Sequence, residues 1–120
     1  MTRKVGEISQ RVIDLLNLNV KSKTPIFTGK SNVLHMQKSH KQDYKAYGRY
    51  IPAIIENPDY VGINPSDDSI EFVKIFEIDG KFVKVAVRIS DGGNYYARTI
   101  YARELGKFEK FVESGHLIKY

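Results

Sequence analysis

Residues 69–89, SIEFVKIFEIDGKFVKVAVRI, decide the fold class of this 120-residue chain. Two runs rich in β-branched and aromatic residues, Ser69 to Ile78 and Lys81 to Ile89, flank the pair Asp79-Gly80. Asp-Gly between alternating apolar runs is the signal of a type I′ turn, so the spacing predicts a β-hairpin. Ser90-Asp91-Gly92-Gly93 marks a second turn, and Asn94 to Tyr101 (NYYARTIY) a third strand. Tyr60 to Ile63 adds a short strand before the loop Asn64-Pro65-Ser66-Asp67. The middle of the chain therefore reads as an antiparallel meander of three or four strands.

Upstream the period changes. Residues 31–60, SNVLHMQKSHKQDYKAYGRYIPAIIENPDY, hold two of the three histidines and four of the eight tyrosines. Tyr44, Tyr47, Ile51, Ile54 and Ile55 recur at spacings of three and four, the pattern of a buried helical stripe. Ser31 or Asn32 is a candidate N-cap, Asp43 can cap a second helix, Gly48 suits a helix end and Pro52 a first turn. Asn57-Pro58-Asp59 stops the helical region. Ile8, Val12, Leu15 and Leu16 predict an amphipathic helix from about Gly6 to Leu18, followed by a polar linker and a short apolar segment at Ile26-Phe27, an N-terminal piece that either pairs with a sheet edge or packs across the main body. Beyond the meander, Leu105, Phe108, Phe111 and Val112 share one face of a helix from Ala102 to Ser114, with Gly115 at its C′ position. HLIKY then closes the chain as an edge strand. The expectation is α+β: N-terminal helices, a 3–4-stranded antiparallel meander and a C-terminal helix. It is read as a single domain, 1–120, with residues 1–23 a helical extension and linker and 24–120 the core.

Composition narrows the function. Apolar residues make up 42% and charged residues 28%, as in an ordinary globular chain with one core. No apolar run approaches membrane-spanning length, and MTRKVGEIS lacks a secretory core, so a cytoplasmic, non-membrane protein is expected. The chain has no cysteine, which excludes disulfides, thiolate metal sites and cysteine nucleophiles. A net charge of +5 favours polyanions as partners, nucleic acid first.

Strand alternation sorts the polar side chains. Val83, Val85, Val87 and Ile89 share the face expected to meet the helices, and Lys84, Ala86 and Arg88 point the other way. Strict alternation places Ala97, Thr99 and Tyr101 on one face and Tyr96, Arg98 and Ile100 on the other. Lys74 falls with Phe72 and Phe76. A sheet face carrying Lys, Arg, Thr and Tyr can hold a phosphodiester, cations neutralising it and hydroxyls orienting it. A solvated face with scattered cations fits the pattern equally well.

His35 and His40, five residues apart, would lie roughly 140° apart on one helix, so they make no metal pair. There is no HExxH, P-loop, GxGxxG or GxSxG, and neither metal nor cofactor is expected. His35 also fits a helix residue whose imidazole is half buried, and His40 one that bonds a helix-end carbonyl.

The order of the H-x4-H helix (His35, His40), IPAIIENPDYVG, SIEFVK, VAVRIS and ARTIY resembles the phage-associated branch of the barnase–EndoU–colicin–RelE-like (BECR) nucleases over about Thr24 to Tyr120. The resemblance implies helices ahead of a four-stranded antiparallel sheet and metal-independent cleavage of RNA. It assigns catalytic positions to His35, His40, Lys74, Arg88, Thr99 and Tyr101. Attack by the substrate's 2′-hydroxyl would give a 2′,3′-cyclic phosphate. His35 would be the base, since the ordinary histidine pKa lies near neutrality, and His40 or Tyr101 the acid. Lys74 and Arg88 would stabilise developing charge, and Thr99 would position a phosphate oxygen. The expected partners are RNA and an antitoxin or inhibitor protein. The rival expectation is a non-catalytic RNA-binding module or phage interaction protein, whose tyrosines stack bases without an acid–base pair.

Overall fold

The computed structural model describes residues 2–114 and 116–120. Among them, seven strands form one mixed sheet in the order β1-β2-β6-β5-β4-β3-β7, with short helices interleaved along the chain. The expected N-terminal helices followed by a 3–4-stranded meander are overturned: a strand comes first, and the sheet is nearly twice as wide.

β1 (Thr2–Ile8) pairs antiparallel with β2 (Thr24–Gly29), and α1 (Gln10–Leu16) lies between them in sequence. The ladder is irregular between Lys4 and Gly6, and Val5 and Ile8 are both buried. A bulged strand running into a helix thus reproduces the three- and four-residue spacing of one long helix. Ser9 breaks the two apart: its Oγ accepts the Val12 N–H at 3.2 Å as the N-cap of α1.

α2 (Lys30–Ser39) starts directly from β2, and the Asn32 side chain accepts the Gly29 N–H at 2.8 Å. α3 (Lys41–Tyr47) and α4 (Ile51–Glu56) follow, with Pro52 in the first turn of α4. All five residues of the apolar stripe sit in or against the main core. Asp43 lies in the first turn of α3, whose N-cap is His40, and caps another element instead; its carboxylate accepts the Ala102 N–H of β6 at 3.0 Å. The Tyr47 hydroxyl donates to Asp79 at 2.8 Å.

β3 (Tyr60–Ile63), β4 (Ile70–Phe76), β5 (Lys81–Ile89) and β6 (Tyr95–Glu104) are antiparallel neighbours. The β4–β5 hairpin closes through a 3₁₀ turn at Glu77–Asp79, with Gly80 at φ 64°, rather than through a two-residue type I′ turn. β6 runs to Glu104, so α5 is shorter than expected, Phe108–Glu113, and the C′ assignment of Gly115 lies outside the described residues. β7 (Leu117–Lys119) pairs with β3 at the far edge.

The sheet buries both faces. Val83, Val85, Val87, Phe72 and Ile100 join the main core under α1 to α4. On the reverse side Val73, Phe82 and Leu117 form a smaller core with Phe108, packed by Leu105, Phe111 and Val112. Among the described residues no helix is long and apolar enough to cross a membrane.

Gly62 is required by a close approach. A Cβ there would drive into the His116 carbonyl oxygen, the backbone that leads into β7. Gly62→Ala is therefore expected to cost about 1–3 kcal/mol in urea unfolding, by forcing β3 and β7 apart. Gly106→Ala, with open space around the new methyl, should stay within about 0.5 kcal/mol of the parent.

Burial and the bond to Asp79 push the Tyr47 phenol from 10.0 up to about 12. The folded state thus favours the protonated phenol. That contribution is complete below pH 10 and disappears as the pH rises toward 12. Tyr47→Phe should remove this part of the alkaline loss of stability, measured as the melting temperature against pH.

Candidate active site, a cationic cleft beside β6

A cleft of about 280 Å³ opens between α2, the β3–β4 loop and the sheet face opposite the main core. Asn32 and His35 line it from α2, Asp67 and Ser69 from the loop, Ala86 and Arg88 from β5, and Arg98 and Thr99 from β6. The β5–β6 register places this set. Ala86 pairs with Thr99, but Val87 pairs with Ala97, so Arg98 is an extra residue in β6. A bulge of this kind re-aims side chains and lets two residues stand opposite one. Ala97 and Ile100 both turn into the main core, while Thr99 faces the cleft beside Ala86 and Arg88.

Polar groups in the cleft are incompletely matched. Ser69 is 1% exposed, yet its Oγ has no hydrogen-bond partner among the described residues. The Nε of Arg98 is likewise buried and unpartnered. Buried donors ordinarily find partners, so each such group calls for an explanation, and a bound anion is one. The Ser69 hydroxyl lies beside the Asp67 carboxylate without a well-aligned bond to it, and the Ser69 N–H donates to Asp67 at 3.0 Å. These groups, reinforced by Arg88 and Lys84, hold Asp67 below the usual carboxylate range. Asp67 therefore stays ionised at neutral pH and acts as a counter-charge rather than as a proton donor.

The residues expected from the sequence divide. His35, Arg88 and Thr99 meet in the cleft, His35 exposed at its mouth. His40, between α2 and α3, stands outside the lining with its ring edge-on to His35, the centroids 6.0 Å apart. Tyr101 shares the sheet face of Thr99 but lies further along β6, where its ring meets the Lys84 ammonium and the Arg103 guanidinium, each 4.4 Å from the centroid. Lys74 is on the opposite face with Phe72 and Phe76. Its Nζ donates to the Asn57 carbonyl at 2.9 Å and lies 3.9 Å from Asp59, in a separate hollow with Tyr50.

Asn32, Asp67, Ser69 and Arg98 were not anticipated. Strict alternation puts Arg98 opposite Thr99, and only the bulge brings the two together. Beneath the cleft lies a second unforeseen group. Glu71, which pairs with Ala86 across the ladder, holds Lys84 at 2.8 Å, accepts from Asn64 at 3.2 Å and contacts the His116 ring. Glu71 is 1% and Lys84 7% exposed, so each needs the other.

A cationic cleft with an imidazole at its mouth has the donors to bind a phosphate group. The chain belongs to the family described as phage-Barnase-EndoU-ColicinE5/D-RelE like nuclease3 (PBECR3), whose profile matches residues 3–110. The match takes in β1 and α1, which the sequence resemblance left out, and every residue of the cleft. Neither the curated proteins nor the solved structures contain a match to the chain.

Lys84→Met is expected to destabilise the protein by about 3–5 kcal/mol in urea unfolding, because it strands the Glu71 carboxylate in the sheet. Adding Glu71→Leu should restore most of that loss; a double variant no more stable than the single one would count against the ion pair as the cause.

Proposed function

We propose that this nuclease is a metal-independent endoribonuclease that cuts RNA at the cleft, by attack of the 2′-hydroxyl on the adjacent phosphorus. The new O–P bond closes a 2′,3′-cyclic phosphate, the P–O5′ bond breaks, and the 5′-oxygen leaves with a proton. His35, exposed at the mouth, takes the proton from the 2′-hydroxyl. His40, the neighbouring ring, supplies the proton to the leaving oxygen. Arg88 and Arg98 bind the non-bridging oxygens, and their fixed positions stabilise the charge that grows there. Thr99 and Ser69 offer hydroxyls to the same oxygens. Lys74 and Tyr101 stand apart from the cleft and take no direct part in this scheme.

The observation that carries the reading is a single cleft that gathers His35, Arg88, Arg98, Ser69 and Thr99. A phosphodiester entering the cleft would bring acceptor oxygens to the two guanidinium groups, and the His35 imidazole at the mouth would serve as the base.

Cleavage of single-stranded RNA in EDTA tests it. The parent protein should leave 2′,3′-cyclic phosphate ends and should not cut 2′-O-methyl RNA. His35→Ala should lower the rate by about 10²–10⁴-fold, and Arg98→Ala by about 10²–10³-fold. Unchanged rates in both variants, or equal cutting of 2′-O-methyl RNA, would refute the mechanism. RNA binding with no turnover would return the protein to the class of binding modules.

A further inference from the structure

The molecule carries a second cationic feature, on the other side of α2 from the cleft. A groove of about 580 Å³ lies between β1, α2 and α3, lined by Arg3, Gln37, Lys41, Tyr44, Lys45 and Arg49. Its four cations are exposed, and among the described residues none pairs with a carboxylate. Lys41, Lys45 and Arg49 follow one another at intervals of four, so they repel each other along one side of the helical segment. An ordinary solvated helix face sets carboxylates into such a row.

The concentration of charge is local. Residues 30–50 contain five Lys and Arg against a single carboxylate, a surplus of four in a chain whose net charge is +5. That carboxylate, Asp43, is turned to the Ala102 N–H of β6. Tyr44 adds a half-buried ring to the groove, a surface on which a base can stack.

Helix geometry joins the groove to the cleft. His35 faces the cleft and Gln37 the groove. At about 100° per residue, Leu34 and Lys38 occupy the arc between them, away from buried Met36. Leu34 is 54% exposed, and Lys38 is exposed as well. A strand leaving the cleft can therefore cross α2 over an apolar side chain and a cation, and enter the groove.

We infer that this groove binds the sugar–phosphate backbone of single-stranded RNA, as an extension of the strand that enters the cleft. The inference rests on the ribonuclease reading for its substrate, but it concerns affinity for length, not bond cleavage. Lys41, Lys45 and Arg49 meet phosphates flanking the scissile one, and Tyr44 stacks a base.

The test separates the two. A long single-stranded oligoribonucleotide is bound by the His35→Ala protein, with and without Lys41→Gln, Lys45→Gln and Arg49→Gln together, across a salt series. Each phosphate contact on a single strand contributes about 0.7 to the slope of log K against log salt, so the triple change should reduce the slope by about 2 and weaken binding at low salt. With His35 restored, the triple variant should cut a dinucleotide as fast as the parent, and circular dichroism should be unaltered, since the three side chains are exposed. An unchanged slope overturns the groove whether or not the cleft is catalytic. Loss of dinucleotide cleavage also overturns it, by placing the three cations in the reaction itself. Preferential binding of polyglutamate over RNA would make this a face for an acidic protein and overturn it too. Absence of dinucleotide cleavage in the parent, with the slope difference intact, would count against the mechanism and leave the groove standing.

Discussion

The β5–β6 ladder is where two demands on the sequence meet. Val85 and Val87 must face the main core, and so must Ile100 and Ala97, which pair with them. Ala97 and Ile100 are three apart, and an unbroken strand cannot turn both to the same side. The extra residue at position 98 resolves the conflict, and that residue is an arginine. An apolar requirement on one face thus fixes the position of a guanidinium on the other. It also brings Thr99 level with Ala86, so cations and hydroxyl share one small cleft.

The same strand explains where the imidazoles lie. β2 pairs with β6 only at Tyr95 and Tyr96, which leaves the rest of that edge without a strand partner. Open edges must be covered or blunted. Here α2 packs along β6, and Asp43 of α3 takes the Ala102 N–H. Met36, fully buried, fixes the rotation of α2, so its neighbour His35 turns outward to the mouth of the cleft. One helix thus both protects the edge and brings His35 to the mouth of the cleft.

Much of this was legible in the sequence because it depends on local period. The apolar stripe from Tyr44 to Ile55, the Asp79-Gly80 hairpin, the sidedness of Val83, Val85 and Val87 and the closing edge strand are all short-range patterns. What could not be read depends on register. The irregular step at Val5 gives strand β1 a helical spacing, and the one at Arg98 breaks the strict alternation of β6. The parallel pairing of β2 with β6 joins residues far apart in sequence, and no local signal announces it. Lys74 was correctly placed with Phe72 and Phe76, but that face proved to be the core side, so its ammonium reaches the Asn57 carbonyl at the sheet's margin. Residue type pointed to chemistry in both cases; only the pairing of strands decided which cations converge.

Charge balance then singles out one member of the cleft. Lys84 is neutralised from below by Glu71, in a pair too buried for either partner to stand alone. Arg88 faces Asp67, whose ionised form is favoured by Ser69 and by the cation itself. Among the described residues Arg98 pairs with no carboxylate, and its Nε has no hydrogen-bond partner. The cleft therefore carries about one positive charge in excess. A phosphodiester brings one negative charge and acceptor oxygens. Arg98, Ser69 and Thr99 line that cleft together with His35 and Arg88. That convergence of cations, hydroxyls and an imidazole, more than basicity, is what separates this cleft from the other cationic surfaces of the protein.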